Sequence, residues 1–441
     1  MTIEIELKFL LDPNQIDVVT QQLTRYPHRH ASPTLLANHY YETADNQLRR
    51  WDMGLRVRGK DGHFEMTLKT AGQEIGGLHQ RPEYNVALND SQLDIHLLPE
   101  DVWPAGTELA ALQQRLTPLF STDFTREKWV ITYGESEIEV ALDQGSVSAG
   151  DQSTLLLELE LELLQGKRAD IFALANELVN NGGVRLGWQS KAARGYGLAQ
   201  GSGGLPTVEP LTQLSVKPKA SCEQGLTALL SGLLGRWQLL ESHWIAGDKQ
   251  MPTLLLQTLL AIRETFSLFG GLIPRSVSSE IRQQLLTLDQ ALQQKKPEAS
   301  VLCFSTDWVI AQLKLTELIV EQQWRQSINA RQLKRLESSF KRFCDVMLSR
   351  CAAELHDLAA ETLIPNQAST TLLRLDKLTI AIGLLSSAYP SAQVDDWLAP
   401  WLLARQHLIA GGQEVLRLPL PSRPLSPFWL TSNTAKDSLN H

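Results

Sequence analysis

The chain has 441 residues, 43% hydrophobic and 20% charged, a balance that fits globular domains and excludes a disordered or fibrous chain. Its length exceeds what one ordinary core holds, so two domains are expected. A net charge of -8 argues against general nucleic-acid binding, though not against a local basic cavity.

Through about Gly201 the hydrophobic period is two. Strands are predicted at 3–10, 37–43, 53–60, 63–71, 78–88, 124–134, 137–148 and 153–164, with helical stretches at 13–25, 107–119 and 168–181. In the first strand Ile3, Ile5 and Leu7 alternate with Glu4, Glu6 and Lys8, which makes one face aliphatic and the other charged. Arg56 and Arg58 alternate later, followed by Glu65, Thr67 and Lys69, then Arg81, Glu83 and Asn85. Arg126 and Lys128 come next, then Glu137, Glu139 and Asp143, then Glu158, Glu160 and Glu162 among leucines. Lys60-Asp61-Gly62-His63 reads as a hairpin, because Asp-Gly favours the positive φ of a type I′ turn. Lys191 and Arg194 follow the last predicted helix of this half.

A Gly-Ser-Gly-Gly-Leu-Pro run, then Pro210 and Pro218, marks 201–220 as a linker. Beyond it the period becomes 3.6, with helices predicted at 222–245, 253–270, 277–294, 307–326, 333–358, 370–387 and 395–410. An all-helical bundle is expected over 221–433. Residues 418–441 are read as extended, and 434–441 as a disordered tail. No stretch approaches the ~20 apolar residues of a membrane span, and the N-terminus shows no signal-peptide pattern. A cytoplasmic protein without membrane contact is therefore expected. Cys222, Cys303, Cys344 and Cys351 fit neither zinc spacing nor a disulfide framework, which predicts buried free thiols in a reducing compartment.

If the sheet closes with its charged faces inward, cations surround a cavity that has carboxylates along one wall. Such an interior is unstable dry, since unpaired buried charges cost several kcal/mol each. It calls for a strongly anionic ligand together with divalent cations. Guanidinium groups fork onto phosphate oxygens, and hard cations take carboxylate oxygens. Polyphosphate with magnesium or manganese meets both demands.

Glu4-x-Glu6-x-Lys8, Tyr40-Tyr41-Glu42-Thr43, Leu55-Arg56-Val57-Arg58, Thr67-Leu68-Lys69, Arg81-Pro82-Glu83, Ala141-Leu142-Asp143-x-Gly145, Glu158-Leu159-Glu160 and Ser190-Lys191-x-x-Arg194 follow in order. This series resembles the signature of the CYTH superfamily, the triphosphate tunnel metalloenzymes, over about residues 1–200. With the helical half after it, the chain is similar to two-domain CYTH–CHAD inorganic triphosphatases of enterobacteria. The resemblance implies an α+β fold, an eight-stranded antiparallel tunnel at 1–200 followed by a CHAD-like α-helical domain. It implies a metal-dependent triphosphatase that hydrolyses tripolyphosphate to pyrophosphate and phosphate, by water attack with two Mg2+ or Mn2+ ions.

Carried onto this sequence, the resemblance makes Glu4, Glu6, Glu158 and Glu160 metal ligands, with Glu162 and Asp143 as further contributors. Glu4, Glu6, Lys8 and Glu160 form the catalytic set. Lys8, Arg56, Arg58, Lys69, Arg81, Arg126, Lys128, Lys191 and Arg194 would cradle phosphoryl oxygens. The expected partner is inorganic triphosphate or another triphosphate-bearing small molecule, with no nucleic acid and no membrane; the oligomeric state stays open.

Three other readings compete. A class IV-type adenylyl cyclase needs an adenine platform, for which Tyr40, Tyr41 and Trp51 are candidates. A nucleoside or thiamine triphosphatase would use the same cage. A non-catalytic polyphosphate-binding module would bind without metal-dependent turnover. In the helical half, leucines and Thr253 take most of the basic positions expected over 253–274, where Arg263 remains, and 372–385 keeps Arg374 and Lys377 in an apolar setting. Arg331, Lys334, Arg335, Lys341 and Arg342 form a stripe read as a solvated face. His243, His356 and His407 read as ordinary helix residues, and no anion site is assigned to this half.

Overall fold

A strand whose two faces differ this sharply needs apolar cover on one side and polar company on the other, and a closed barrel supplies both. A computed structural model describes residues 1–201, 205–211, 214, 216–294, 296–361, 368–411 and 426–430. The tail predicted at 434–441 lies outside the described residues, as does most of 418–441.

The strands are β1 (Thr2–Leu11), β2 (His28–Glu42), β3 (Gly54–Lys60), β4 (His63–Lys69), β5 (Gln73–Ile75), β6 (Leu78–Leu88), β7 (Thr117–Tyr133), β8 (Ser136–Ala149), β9 (Gln152–Gln165) and β10 (Val184–Leu186). Eight of them close an antiparallel barrel in the order β1-β9-β8-β7-β2-β3-β4-β6 and back to β1, while β5 and β10 extend it at β6 and β1. Residues 2–7 of β1 pair with β6, and 9–11 with β10. The turn between β3 and β4 has positive φ at both Asp61 (49°) and Gly62 (78°), as a type I′ hairpin requires.

Two strands run longer than the sequence predicts. β2 and β7 start at 28 and 117 rather than 37 and 124, and each extension pairs with the other strand. The polar stretch at 28–34 hid the first, and Pro33 sits where the register shifts between Ala31 and Thr34. A bulge tolerates a residue without an N–H.

Five helices accompany the barrel: α1 (Ile16–Leu23), α2 (Gln47–Arg50), α3 (Leu109–Arg115), α4 (Arg168–Val179) and α5 (Lys191–Ala199). The predicted helix at 107–119 is shorter because 117–119 joins β7. Around α5 the inward positions turn apolar: Leu36, Phe120, Phe124, Val147 and Leu156 pack with Tyr196 and Leu198. A Cβ on Gly195 would lie 2.1 Å from the Phe120 ring, so glycine lets the helix approach this closely. In the Asp143-x-Gly145 motif, a Cβ at Gly145 would meet the Asp123 carbonyl oxygen at 2.1 Å.

The remaining helices are α6 (Cys222–Ile245), α7 (Met251–Leu268), α8 (Arg275–Leu292), α9 (Ala299–Leu302), α10 (Thr306–Val320), α11 (Ala330–Leu336), α12 (Phe340–Ala360), α13 (Ala368–Leu385) and α14 (Ser391–Gly411). The helix predicted over 333–358 is two, divided where the Ser339 hydroxyl caps α12 by accepting from the Arg342 N–H. The chain forms two compact units. One comprises Met1–Thr207, Glu241–Asp248 and Lys295–Glu317; the other comprises Val208–Leu240, Lys249–Gln294 and Leu318–His441. In the first, buried Glu241 accepts from Arg185 on β10 (3.1 Å), Trp308 Nε1 (2.7 Å) and Gln312 Nε2 (2.6 Å). The basic stripe is solvent-exposed, and all four cysteines are buried free thiols. Among the described residues no helix is long and apolar enough to cross a membrane.

Candidate active site

Because alternate residues of a strand share a face, closing the barrel turns the charged rows toward one another. Glu4, Glu6 and Lys8 of β1 meet Arg56 and Arg58 of β3, Lys69 of β4, Arg81 of β6, Arg126 of β7, Glu160 of β9 and Lys191 of α5 around one cavity of about 90 Å³. That is room for several waters at roughly 10–15 Å³ each, and hence for a polar ligand that displaces them.

One wall is a buried charge network. Oxygens of Asp143, Glu158 and Glu160 lie within 4.8 Å of one another. Lys8 Nζ donates to Glu158 (3.0 Å) and Glu160 (2.6 Å). Lys191 Nζ donates to Glu160 (2.8 Å), pairs with Asp143 (2.7 Å) and also contacts Glu158. Arg126 donates from Nε to Asp143 (2.6 Å) and from Nη2 to Glu160 (2.6 Å), and Arg194 donates to Glu158. Burial works against ionisation of Glu158 and Glu160, but Lys191 and Lys8 outweigh it and hold both carboxyls below the usual range. Lys8, Lys191 and Arg126 stay protonated against burial for the reciprocal reason.

The opposite side is less balanced. Glu4 donates nothing and accepts from Lys69, which overcomes burial and keeps its carboxyl low. Glu6 has no hydrogen bond or ion pair among the described residues. Burial, with Glu160 nearby and Lys8 opposing, pushes its carboxyl up to about 8. The cations are only loosely paired: Arg56 lies 4.0 Å from Glu83, and Arg81 3.5 Å from Asp52 and 3.6 Å from Glu74. Arg56 Nε, Arg81 Nε and His79 Nε2 are buried without a hydrogen-bond partner among the described residues. Arg58 reaches Asn38 Oδ1 (2.8 Å), while burial, Arg56 and Arg126 press its guanidinium down to about 9. Burial and the surrounding Lys8, Arg81 and Lys69 hold His79 neutral, down to about 3. Buried nitrogens without partners are rare in folded proteins, and here all three belong to residues that line one cavity.

The chemistry of the donors fits a hard divalent cation. All are carboxylate oxygens, the set that Mg2+ and Mn2+ prefer, and unpartnered Glu6 stands with Glu4 and Glu160 on the cavity wall. A stability prediction follows. Glu6 in the folded chain keeps its proton between the ordinary value of 4.5 and about 8. The folded state therefore binds more protons in that window, and stability falls as pH rises through it. Glu162, raised to about 7 by burial and by Glu4, acts in the same direction. In chelator, Tm is expected to drop by several degrees from pH 5 to pH 8; Mg2+ at pH 8 should restore it, and Glu6→Gln should flatten the slope. A Tm independent of pH and metal would contradict the unpartnered carboxylate.

Several residues sit elsewhere than the sequence suggested. Glu158 and Arg194 do not line the cavity: Glu158 accepts from Lys8 and Lys191, and Arg194 donates to Glu158. Lys128 is 38% exposed, pairs with Glu139 (2.7 Å) and belongs to a separate opening shared with Lys60 and Glu65. Glu162 is also outside the cavity lining, beside Glu6 in the β1–β9 register. Lys191 and Arg194 do not follow the last helix of this half but occupy a helix of their own, α5, capped by the Ser190 hydroxyl accepting from Ala193 N–H (3.1 Å). Their i,i+3 spacing on a helix puts both on one face. His79 and Thr67 also line the cavity. His79 was missed although it shares parity with Arg81 and Glu83, since a neutral ring does not stand out in a charge pattern.

Residues 2–196 match the CYTH domain, and residues 228–411 match the CHAD domain. An inorganic triphosphatase of Haemophilus influenzae is 36% identical over 198 residues, covering 44% of this chain and 54% of that protein. The chain thus matches about half the length of this curated relative. Among solved structures, HpAC1 from Hippeastrum, described with a dominant triphosphatase activity, is 17% identical with a TM-score of 0.33, covering 46% of this chain and 98% of that one. The inorganic triphosphatase NE1496 is 20% identical with a TM-score of 0.17, covering 39% and 80%. Neither structural likeness bears on this chain's chemistry. The closed eight-stranded barrel lies within the stretch that matches the CYTH domain, and the stretch that matches the CHAD domain falls in the helical region after it.

Proposed function

We propose that the barrel is a metal-dependent inorganic triphosphatase that cleaves tripolyphosphate to pyrophosphate and phosphate. The observation that carries this reading is one buried cavity holding both unsatisfied guanidinium nitrogens (Arg56, Arg81) and an unpartnered carboxylate (Glu6). A polyanion answers the first and a divalent cation the second. Phosphoryl transfer needs positioning and charge neutralisation more than covalent chemistry from the protein, and this wall offers both.

Arg56, Arg58, Arg81 and Lys69 would grip the phosphate chain, with Arg126, Lys8 and Lys191 at its other side. Glu4, Glu6 and Glu160 would hold Mg2+ or Mn2+, with Glu158 supporting Glu160. Held there, such ions would supply charge neutralisation and activation of the attacking water. His79, neutral and buried, can donate or accept one hydrogen bond without adding charge. Lys8 and Lys191 keep Glu160 ionised and in place. The relative from Haemophilus influenzae, named an inorganic triphosphatase, supports the same substrate class.

The cyclase reading is weakened by the aromatic residues it would use. Tyr40 is stacked on Phe120 (centroids 4.5 Å apart, 17° between planes), and Tyr41 and Trp51 pack on the apolar cluster of Leu48, Met53 and Trp103. One face of each ring is thus taken up by packing. Phosphate release from tripolyphosphate, pyrophosphate, long polyphosphate, ATP and thiamine triphosphate, with cyclic AMP assayed alongside, tests the proposal. Tripolyphosphate should be the preferred substrate and yield one phosphate and one pyrophosphate, with Mg2+ or Mn2+ required. Calcium, larger and looser in coordination, is expected to bind and inhibit. Tight binding with no turnover under any metal would instead support a binding module.

A further inference from the structure

The row of cations on β3 does not stop at the barrel cavity. Arg56, Arg58 and Lys60 share one face of the strand at steps of roughly 7 Å. Arg56 lines the inner cavity, Arg58 lines both it and a second opening, and Lys60 lines the second opening alone. β7 repeats the pattern, with Arg126 on both and Lys128 on the outer one. Two guanidinium groups thus belong to both spaces, and an ammonium group stands two residues beyond each of them. The outer space has a volume of about 340 Å³.

Nearby carboxylates do not cancel this charge. Arg126 is bound to Asp143 and Glu160, and Lys128 to Glu139. The β3 cations differ. Half-buried Arg58 commits only its Nε, to Asn38 Oδ1 (2.8 Å), and makes no ion pair among the described residues. Lys60 is exposed, and its ammonium has neither a hydrogen bond nor an ion pair among the described residues. Glu65 is the one carboxylate among the described lining residues, opposite Arg58 in the β3–β4 register yet not paired with it. The opening therefore holds two cations that lack a carboxylate partner against one carboxylate. A phosphate chain matches such a row, since it too repeats its charge along a line and takes guanidinium and ammonium donors on its oxygens.

We propose that this opening is an outer subsite for inorganic polyphosphate: a chain longer than three phosphates keeps three in the barrel cavity and extends the next between Arg58 and Lys60. The subsite rests on the triphosphatase reading of the barrel. It acts on the recognition of chain length, while bond cleavage stays with the inner residues.

Calorimetric titration of the full-length protein with tripolyphosphate and with tetrapolyphosphate tests this. Ca2+ replaces Mg2+ to suppress turnover, and about 0.15 M salt screens charges more than about 8 Å apart. Tetrapolyphosphate is expected to bind about fivefold more tightly than tripolyphosphate, the upper end of what one solvent-exposed charge pair supplies. Lys60→Ala should remove that advantage and leave both the tripolyphosphate affinity and the melting temperature as in the wild type. Lys60→Glu should make tetrapolyphosphate the weaker ligand of the two. Equal wild-type affinities would overturn the subsite and leave the triphosphatase reading standing. So would a Lys60→Ala variant that keeps the advantage or loses affinity for both chains alike. If the wild type binds neither chain, the triphosphatase reading falls and takes the subsite with it.

Discussion

Glu4→Ala is expected to lower tripolyphosphate hydrolysis by about 10²–10³-fold at saturating Mg2+, the scale seen when one electrostatic contact to a transition state is removed. Glu4 suits this test because its carboxylate bonds only to Lys69 among the described residues and sits at the cavity wall. Its loss should therefore leave Tm close to wild type and show itself in turnover. Glu160→Ala should be at least as damaging to activity, but it also removes an acceptor from Lys8, Lys191 and Arg126 together. Breaking a buried ion network by deleting one partner costs about 3–5 kcal/mol, so this variant should also melt earlier. Glu160→Gln, which keeps the volume, separates the two effects by recovering stability without recovering rate. Turnover near wild type in Glu4→Ala and Glu160→Gln would remove both carboxylates from the metal assignment.

The largest effect on stability outside the cavity is expected at Glu42. It is 2% exposed, and its two oxygens collect five donors. Oε1 accepts from the N–H groups of Thr43 (2.8 Å) and Leu48 (2.9 Å) and from the Thr43 hydroxyl (3.3 Å). Oε2 accepts from the Arg49 N–H (2.9 Å) and the Tyr196 hydroxyl (2.7 Å). One carboxylate thus satisfies the free amides at the start of α2 and ties α5 to β2. Glu42→Ala strands those donors in the interior, at a cost of about 1–3 kcal/mol for each group left unsatisfied and partly relieved by rearrangement. A net loss of about 3 kcal/mol is expected by denaturant titration, against about 1 kcal/mol for Tyr196→Phe. Because α5 also presents Lys191, the Glu42 variant should raise KM for tripolyphosphate as well. A Glu42→Ala protein within about 0.5 kcal/mol of wild type would show that the cluster carries little.

The architecture was legible because its two solvents write two periods. Each strand must offer apolar atoms outward and charge inward, so Leu7 and Leu159 alternate with Lys8 and Glu160, and a reader needs only parity to sort them. Where the interior is apolar near α5, as at Phe124 and Leu156, that contrast fades. The extension of β2 through His28, Arg29 and His30 is exposed on both faces and carries no period at all. The division of labour among carboxylates was also beyond sequence. Glu158 and Glu160 look equivalent on paper, yet register and the placement of α5 put Glu160 on the cavity and Glu158 behind it. Lys128 has the right parity, and only its position along β7 removes it from the cavity.

The strand at the chain's start carries a consequence for synthesis. β1 is held by β6, β9 and β10, so its neighbours span residues 78 to 186. A ribosome must release nearly the whole first half before the opening strand finds its last companions, and contacts this distant in sequence make folding slow. Until then β1 waits as a partly aliphatic strand with pairing still incomplete, exposed to aggregation. The segment that bears Glu4 and Glu6 is made before every strand that comes to hold it.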